Sequence, residues 1–208
     1  FIRYLESVPV AVPLHEHEGF QLMPERVREA LAPAAKAILL NSPANPTGML
    51  LTADRMKAIA NFGPFIVSDE IYHGLVYDDF EHSILEFTNR AFVLNGFSKL
   101  YAMTGLRLGY IIAPAEFIRP LQILHQNFFI SANSAVQRAG IAALREAQDE
   151  VEKMRRTYDE RRKFMIRRLR ELGFHITAEP KGAFYVFVNA SRLDHNSYRL
   201  AFEILEKA

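Results

Sequence analysis

Three short, wholly apolar runs set at intervals constrain this chain more than any other feature. Ala37–Leu40, Phe65–Val67 and Ala91–Leu94 are strand-sized, and a polar or turn-forming stretch follows each of them. Runs of this length without alternation read as buried strands. Between the first two, the segment from Thr52 to about Asn61 keeps Met56, Ile59 and Ala60 at helical spacing, with Thr52 in position to cap it. Strand, helix and strand in this order predict βαβ units. The expected class is α/β with a mostly parallel sheet, whose ligand sites gather beyond the carboxyl ends of the strands.

The rest of the pattern fits around that unit. Ser7–Leu14, with two prolines, reads as an edge or short strand, and Pro24 to about Leu31 as a short helix with Pro24 in its first turn. Residues 70–90 form an irregular connection. Leu108–Ala113 reads as a further strand, and Pro114–Gln126, Ser134–Glu146 and Glu150–Leu172 as helices. The last of these carries Val151, Met154, Tyr158, Met165, Leu169 and Leu172 on one stripe. Its many arginines are interleaved with acidic residues, so the opposite face reads as solvated rather than as a nucleic-acid surface. Phe174–Thr177 and Ala183–Val188 look like two strands, followed by a terminal helix near Tyr198–Lys207. A domain boundary is expected near residue 148, giving segments 1–148 and 149–208.

Composition excludes several classes. Half of the 208 residues are hydrophobic and the net charge is +1, enough to bury one sizeable core and giving no global attraction to nucleic acid or anionic lipid. No apolar stretch reaches the roughly 20 residues of a membrane span, and the opening residues do not read as a signal peptide. Neither nucleic acid nor membrane is an expected partner. Cysteine is absent, which excludes disulfides and thiolate metal sites and is compatible with a cytoplasmic location. His15 and His17 flank Glu16 but lack further ligands, so they read as surface residues rather than a metal site.

The chemistry gathers in three loops. The runs Ala91–Leu94 and Leu108–Ala113 flank a loop, within the stretch Asn95–Ala113, that carries Ser98, Lys99, Thr104 and Arg107, with Gly96 and Gly105 allowing a bend or a close approach. A lysine at the end of a buried strand is costly unless its amine is paired or uncharged. Alone, Lys99 would read as an apolar stem with its amine in water. Two more loops stand beside it in the pattern: Asn41–Gly48 reads Asn-Ser-Pro-Ala-Asn-Pro-Thr-Gly, and Pro64–His73 reads Pro-Phe-Ile-Val-Ser-Asp-Glu-Ile-Tyr-His. The acidic pair Asp69-Glu70 is not that of a P-loop ATPase, since no Gly-x-x-x-x-Gly-Lys-Ser/Thr occurs, and Gly96-Phe97-Ser98 lacks the second glycine of a nucleophile elbow.

In order, residue type and spacing, these three stretches resemble the fold type I pyridoxal-phosphate enzymes, specifically the class I and II aminotransferases. That resemblance implies a three-layer α/β/α large domain followed by part of a small α+β domain. It implies pyridoxal 5'-phosphate as cofactor and Lys99 as the Schiff-base lysine, whose freed amine moves a proton. Asp69 matches the partner of the pyridine nitrogen, while Tyr72 and Asn45 match the residues beside the phenolic oxygen. Arg107 matches the arginine that grips the phosphate with forked hydrogen bonds. Asn45-Pro46 resembles a family site where the peptide is commonly cis. Many relatives carry a serine three positions before the lysine as a phosphate ligand. Gly96 stands there in this chain, and Ser98 or a backbone N–H is expected to substitute.

The function implied is transfer of an amino group between an amino acid and a 2-oxo acid. A non-catalytic cofactor-binding or sensor module of the same fold, or a carbon–sulfur lyase or decarboxylase, is the alternative. The resemblance further implies a homodimer, with Asn127–Asn133 near the partner's site. Relatives begin before Ser7 with a phosphate-binding turn and extend past Ala208 to an arginine that binds the substrate carboxylate, for which Arg192 stands too early. A fragment that is inactive alone is therefore expected.

Overall fold

The computed structural model of the protein describes residues 2–207. Strands β1 (Ala37–Asn41), β2 (Phe65–Asp69), β3 (Ala91–Gly96) and β4 (Gly109–Ile112) form one sheet in that order. The first two pairings are parallel and the third is antiparallel. Six α-helices accompany them among the described residues: α1 (Pro24–Ala30), α2 (Ala53–Ala60), α3 (Ala115–Phe128), α4 (Ser134–Glu146), α5 (Gln148–Glu171) and α6 (Ser197–Lys207). The architecture is α/β with a mostly parallel sheet, as the apolar runs imply. None of the described helices is long and apolar enough to cross a membrane.

Register explains the core. Ile38 lies opposite Ile66 and Ile66 opposite Ala91, while Leu40, Ser68 and Val93 form the next row. These side chains share one face, because alternate residues of a strand point the same way. Met56 and Ile59 of α2, Val27 of α1 and Ile84 of a short 3-10 turn pack over them. Full burial of each large aliphatic side chain contributes about 1.5–3 kcal/mol, so this face is the main source of stability.

The opposite face departs from the expectation of strands buried on both sides. Phe65 and Phe92 meet Phe117 of α3 edge to face, at ring separations of 5.3 and 5.1 Å. That cover does not reach β1, where Leu39 is 66% exposed, or β4, where Ile111, opposite Leu94, is exposed; Tyr110 and Ile112, on the Val93 face, are exposed as well. The runs are apolar throughout, yet among the described residues a helix covers only part of their second face.

Four further expectations change. Ser7–Leu14 forms no regular element and belongs to no sheet. Thr52 precedes α2 without a side-chain cap, unlike Asn133, whose Oδ1 accepts from the N–H groups of Ala135 and Val136 at the start of α4. The segments 174–177 and 183–188 are not strands. Only the pair His175–Asn189 exchanges backbone hydrogen bonds, at 3.0 and 2.8 Å, and Gly182 bridges instead to Val76. The backbone bonds of residues 181–183 go instead to Gly48, Leu75 and Tyr77, which the local sequence cannot reveal. The long helix begins at Gln148, earlier than its apolar stripe suggests, and only Ala147 separates it from α4.

Candidate active site

Parallel pairing sets the carboxyl ends of β1, β2 and β3 level. Asn41 lies opposite Asp69, and Asp69 opposite Leu94. The loops leaving those ends carry every candidate residue, because parallel strands all deliver their carboxyl ends to one edge.

The first loop is tied to the second strand by one side chain. Asn41 Nδ2 donates to the Asp69 carbonyl at 3.0 Å, and Asn41 Oδ1 accepts from the Asn45 N–H at 2.7 Å. Asn45 itself is exposed. Both Ser42–Pro43 and Asn45–Pro46 are cis; the second was expected from the sequence and the first was not.

Asp69 closes β2 with its Oδ1 accepting the Ile71 N–H at 3.2 Å. Among the described residues its second carboxylate oxygen has no hydrogen-bond partner. Glu70, next in sequence, is buried at 2% exposure, where an unpartnered carboxylate would be costly. Its Oε1 accepts from Ser68 Oγ at 2.9 Å and from the Ile84 N–H at 3.0 Å, and its Oε2 lies 3.4 Å from His73 Nδ1. The pair Asp69-Glu70 thus divides its work: one carboxylate opens to the strand end, and the other anchors the 70–86 connection to the core.

Lys99 and Tyr72 are brought together. The Lys99 amine lies 5.6 Å from the centre of the Tyr72 ring and 5.4 Å from that of Phe184, within cation–π range of both. Tyr72 is 3% exposed, and its hydroxyl meets the Tyr185 hydroxyl at 2.5 Å. Burial, reinforced by Tyr185, holds the Tyr72 phenol well above its ordinary pKa.

Ser98 and Arg107 are joined to each other only through Thr104. Thr104 Oγ1 donates to the Ser98 carbonyl at 2.7 Å, and Arg107 Nη1 donates to the Thr104 carbonyl at 3.0 Å. The rest of the Arg107 guanidinium is exposed, and its backbone is left-handed with φ 55°, as is that of Ala102. Those two residues, rather than Gly105, turn this loop. Gly96 has a different duty: a Cβ there would come within 2.9 Å of both the Gly109 Cα and the Leu108 carbonyl oxygen. The close pairing of β3 and β4 leaves no room at this position for the serine expected from the resemblance.

Phe184 and Tyr185 are site residues that sequence reasoning missed. The Gly48 carbonyl accepts from the N–H groups of Lys181 and Gly182 at 3.0 and 2.9 Å. On the other side Tyr77 N donates to the Lys181 carbonyl and Ala183 N to the Leu75 carbonyl. The Tyr77 hydroxyl, its pKa pushed up to about 12 by burial, donates to the Ala183 carbonyl at 2.7 Å. Helix α5 adds Arg162, whose Nη1 donates to the Pro180 carbonyl at 2.9 Å, and Arg155, which reaches the Val76 carbonyl. Residues 181–183 are therefore wedged between the loops after β1 and β2, and Phe184-Tyr185 follow directly onto Tyr72. The signal available was two aromatic residues after Gly182-Ala183, which by itself reads as half a strand.

The donor set suits a flat, anionic, aromatic aldehyde. It offers a primary amine between aromatic rings, a carboxylate oxygen open to a positive ring nitrogen, a phenol beside the amine and an exposed guanidinium at the same edge. Glu16, by contrast, is bound to Thr177 and Asn189 rather than grouped with His15 and His17.

Comparison with known proteins bears on the same region. The chain is 39% identical to an aspartate aminotransferase of Pyrococcus horikoshii, over 98% of this chain and 54% of that protein. It is 36% identical to a (5-formylfuran-3-yl)methyl phosphate transaminase of Methanocaldococcus jannaschii, over 100% of this chain and 54% of that protein. A solved mutant aspartate aminotransferase of Thermus thermophilus superposes with a TM-score of 0.94 at 34% identity, covering 99% of this chain and 58% of the other. The chain thus spans about half the length of the curated relatives it matches. The family described as Aminotransferase class I and II, whose members depend on pyridoxal phosphate, matches residues 1–207, and the chain belongs to that family.

Proposed function

We propose that the protein carrying this chain is an aminotransferase that moves an amino group between an amino acid and a 2-oxo acid, with Lys99 as its Schiff-base residue. The observation that carries the reading is the Lys99 amine seated between the Tyr72 and Phe184 rings at the edge where Asp69 ends β2. When bound, pyridoxal phosphate supplies an electron-withdrawing ring that stabilises negative charge on the substrate carbon. Lys99 would hold that cofactor through its amine, and the same amine, when free, would move a proton at the substrate carbon. Asp69 offers its free carboxylate oxygen to the positive ring nitrogen. Tyr72 and Asn45 direct hydrogen bonds to the phenolic oxygen.

Arg107 grips the phosphate, assisted by Ser98 or by backbone N–H groups of its loop. Division into a large-domain segment, 1–148, and a small-domain segment, 149–208, belongs to the same proposal. So does a homodimer, supported by the exposed run Phe128, Phe129 and Ile130 at the end of α3, the last of them 81% exposed. A monomer in light scattering that still transaminated would remove that part. A cytoplasmic location is proposed on the absence of cysteine.

The direct test is chemical. Borohydride reduction in the presence of pyridoxal phosphate, followed by peptide mapping, should label Lys99. Label spread over surface lysines without preference for Lys99 would refute the assignment.

A further inference from the structure

We infer that Tyr185 is a positioning residue for the cofactor, acting through the hydroxyl of Tyr72 with which it forms a two-phenol relay. The inference rests on the proposed cofactor site and adds to it a residue from a distant part of the chain. Its basis is geometric. Tyr72 and Tyr185 are 113 residues apart, yet their hydroxyl oxygens lie 2.5 Å from each other and their rings meet at 75°. Only one proton fits between two oxygens at that separation, so one phenol donates within the pair and the other keeps its proton for a third partner.

The surroundings decide which does what. The Tyr72 ring faces the Lys99 amine, and its phenol is influenced by the Asp69 carboxylate and by Tyr185. Tyr158 of α5 stacks on Phe184 behind the pair, 5.6 Å between ring centres. Tyr72 is the deeper phenol and sits against the amine, so its proton is directed to the cofactor's phenolic oxygen. Tyr185 then donates to the Tyr72 oxygen. A phenol that accepts a hydrogen bond becomes a stronger donor, because chained hydrogen bonds polarise one another. The backbone clamp on residues 181–183 holds Tyr185 at this distance. Tyr185 thereby sets both the direction and the strength of the Tyr72 hydrogen bond without itself touching the cofactor.

The test is a double-mutant cycle on Tyr72→Phe and Tyr185→Phe, read by the pH midpoint of the bound cofactor's visible band and by the dissociation constant for pyridoxal phosphate. A weaker donor at the phenolic oxygen leaves the bound cofactor more basic. Tyr185→Phe alone should raise the midpoint by about half a unit, roughly threefold in the proton equilibrium, and Tyr72→Phe should raise it further. In the Tyr72→Phe background, Tyr185→Phe should add almost nothing. Equal shifts from Tyr185→Phe in both backgrounds, or none in either, would overturn the relay while leaving the Schiff-base assignment intact. Absence of any visible band or Lys99 label in the unsubstituted protein would overturn both. Melting without cofactor checks the fold, since Tyr185→Phe retains the ring packing. Should that variant not fold, Tyr185→His is carried through the same cycle under the same criterion.

Discussion

Gly48→Ala tests whether the wedge formed by residues 181–183 holds the site together. Gly48 has φ +67°, a conformation that costs an L-residue about 1–2 kcal/mol. A Cβ built there would lie 2.5 Å from Pro180 Cβ and 2.8 Å from the Gly182 carbonyl oxygen. Neither neighbour is the free end of a flexible side chain, so the wedge itself must move. Overpacking of this kind adds about 1–3 kcal/mol. Movement also loosens the two hydrogen bonds that the Gly48 carbonyl accepts from Lys181 and Gly182, each contributing about 0.5–1.5 kcal/mol. Partial loss of these brings the expected destabilisation to about 3–5 kcal/mol, a large share of the roughly 5–15 kcal/mol of a typical domain. Gly63→Ala separates strain from clash, because Gly63 has φ +103° and nothing within 4 Å of a Cβ. It should cost only the backbone strain, about 1–2 kcal/mol. Urea unfolding midpoints at unchanged m give both values. Borohydride labelling of Lys99 should fall in Gly48→Ala and not in Gly63→Ala, since the wedge carries Phe184 and Tyr185. If Gly48→Ala is no more destabilising than Gly63→Ala, the wedge is not under contact and the reasoning fails.

Glu70→Ala should destabilise by about 3–5 kcal/mol, because it leaves the Ser68 hydroxyl and the Ile84 N–H without their buried acceptor. Glu70→Gln keeps an acceptor oxygen and should cost clearly less; equal losses by urea unfolding would contradict the anchoring role. Acid should weaken the surface ties. Hydrogen bonds from Thr177 and Asn189 hold the Glu16 carboxyl below its usual range, and those from Arg155 and Arg156 hold Glu152 at about 2. Burial opposes ionisation of Asp159, but Lys163 and Arg162 outweigh it and the carboxyl is also lowered. A depressed folded pKa gives stability that is complete above the unfolded value, about 4, and is lost as pH falls through the folded value. The melting temperature should therefore drop between about pH 4 and about pH 2, with less effect at high salt. A flat profile over that range would refute these pairings.

Much of the fold was legible because its signals are local. Each strand of the parallel core is an apolar run that ends where a polar loop starts, and Met56 and Ile59 repeat at the spacing that turns both toward Ile38 and Ile66. The candidate residues are named by the family resemblance, and the topology agrees with it: parallel strands send their loops to one edge, so Asn45, Asp69, Tyr72 and Lys99 all belong to strand ends or loops on that edge. What stayed hidden depends on contacts distant in sequence. Leu39 and Val67 are as apolar as Ile38 and Ile66, and which face is covered depends on the packing of α1 and α2 on one side and of α3 over part of the other. Gly96 looked like a lost phosphate ligand until the Gly109 backbone was found where a side chain would be.

The same distinction explains why the second half of the chain was read less well than the first. Residues 174–177 and 183–188 read as strands, but the backbone hydrogen bonds of residues 181–183 go to Gly48, Leu75 and Tyr77 rather than to a neighbouring strand. A segment held by two separate loops has no repeating signature, since each of these bonds is set by a partner more than a hundred residues away. Yet that arrangement is what presents Tyr185 to Tyr72. A strand in a regular ladder would fix every second residue by the pleat. A segment clamped at 181–183 instead fixes the residues just beyond the clamp, and those are Phe184 and Tyr185. The irregular backbone is therefore part of the site's construction, and changes to the clamp at Gly48 should be felt at Lys99 even though Gly48 makes none of the contacts described for the lysine.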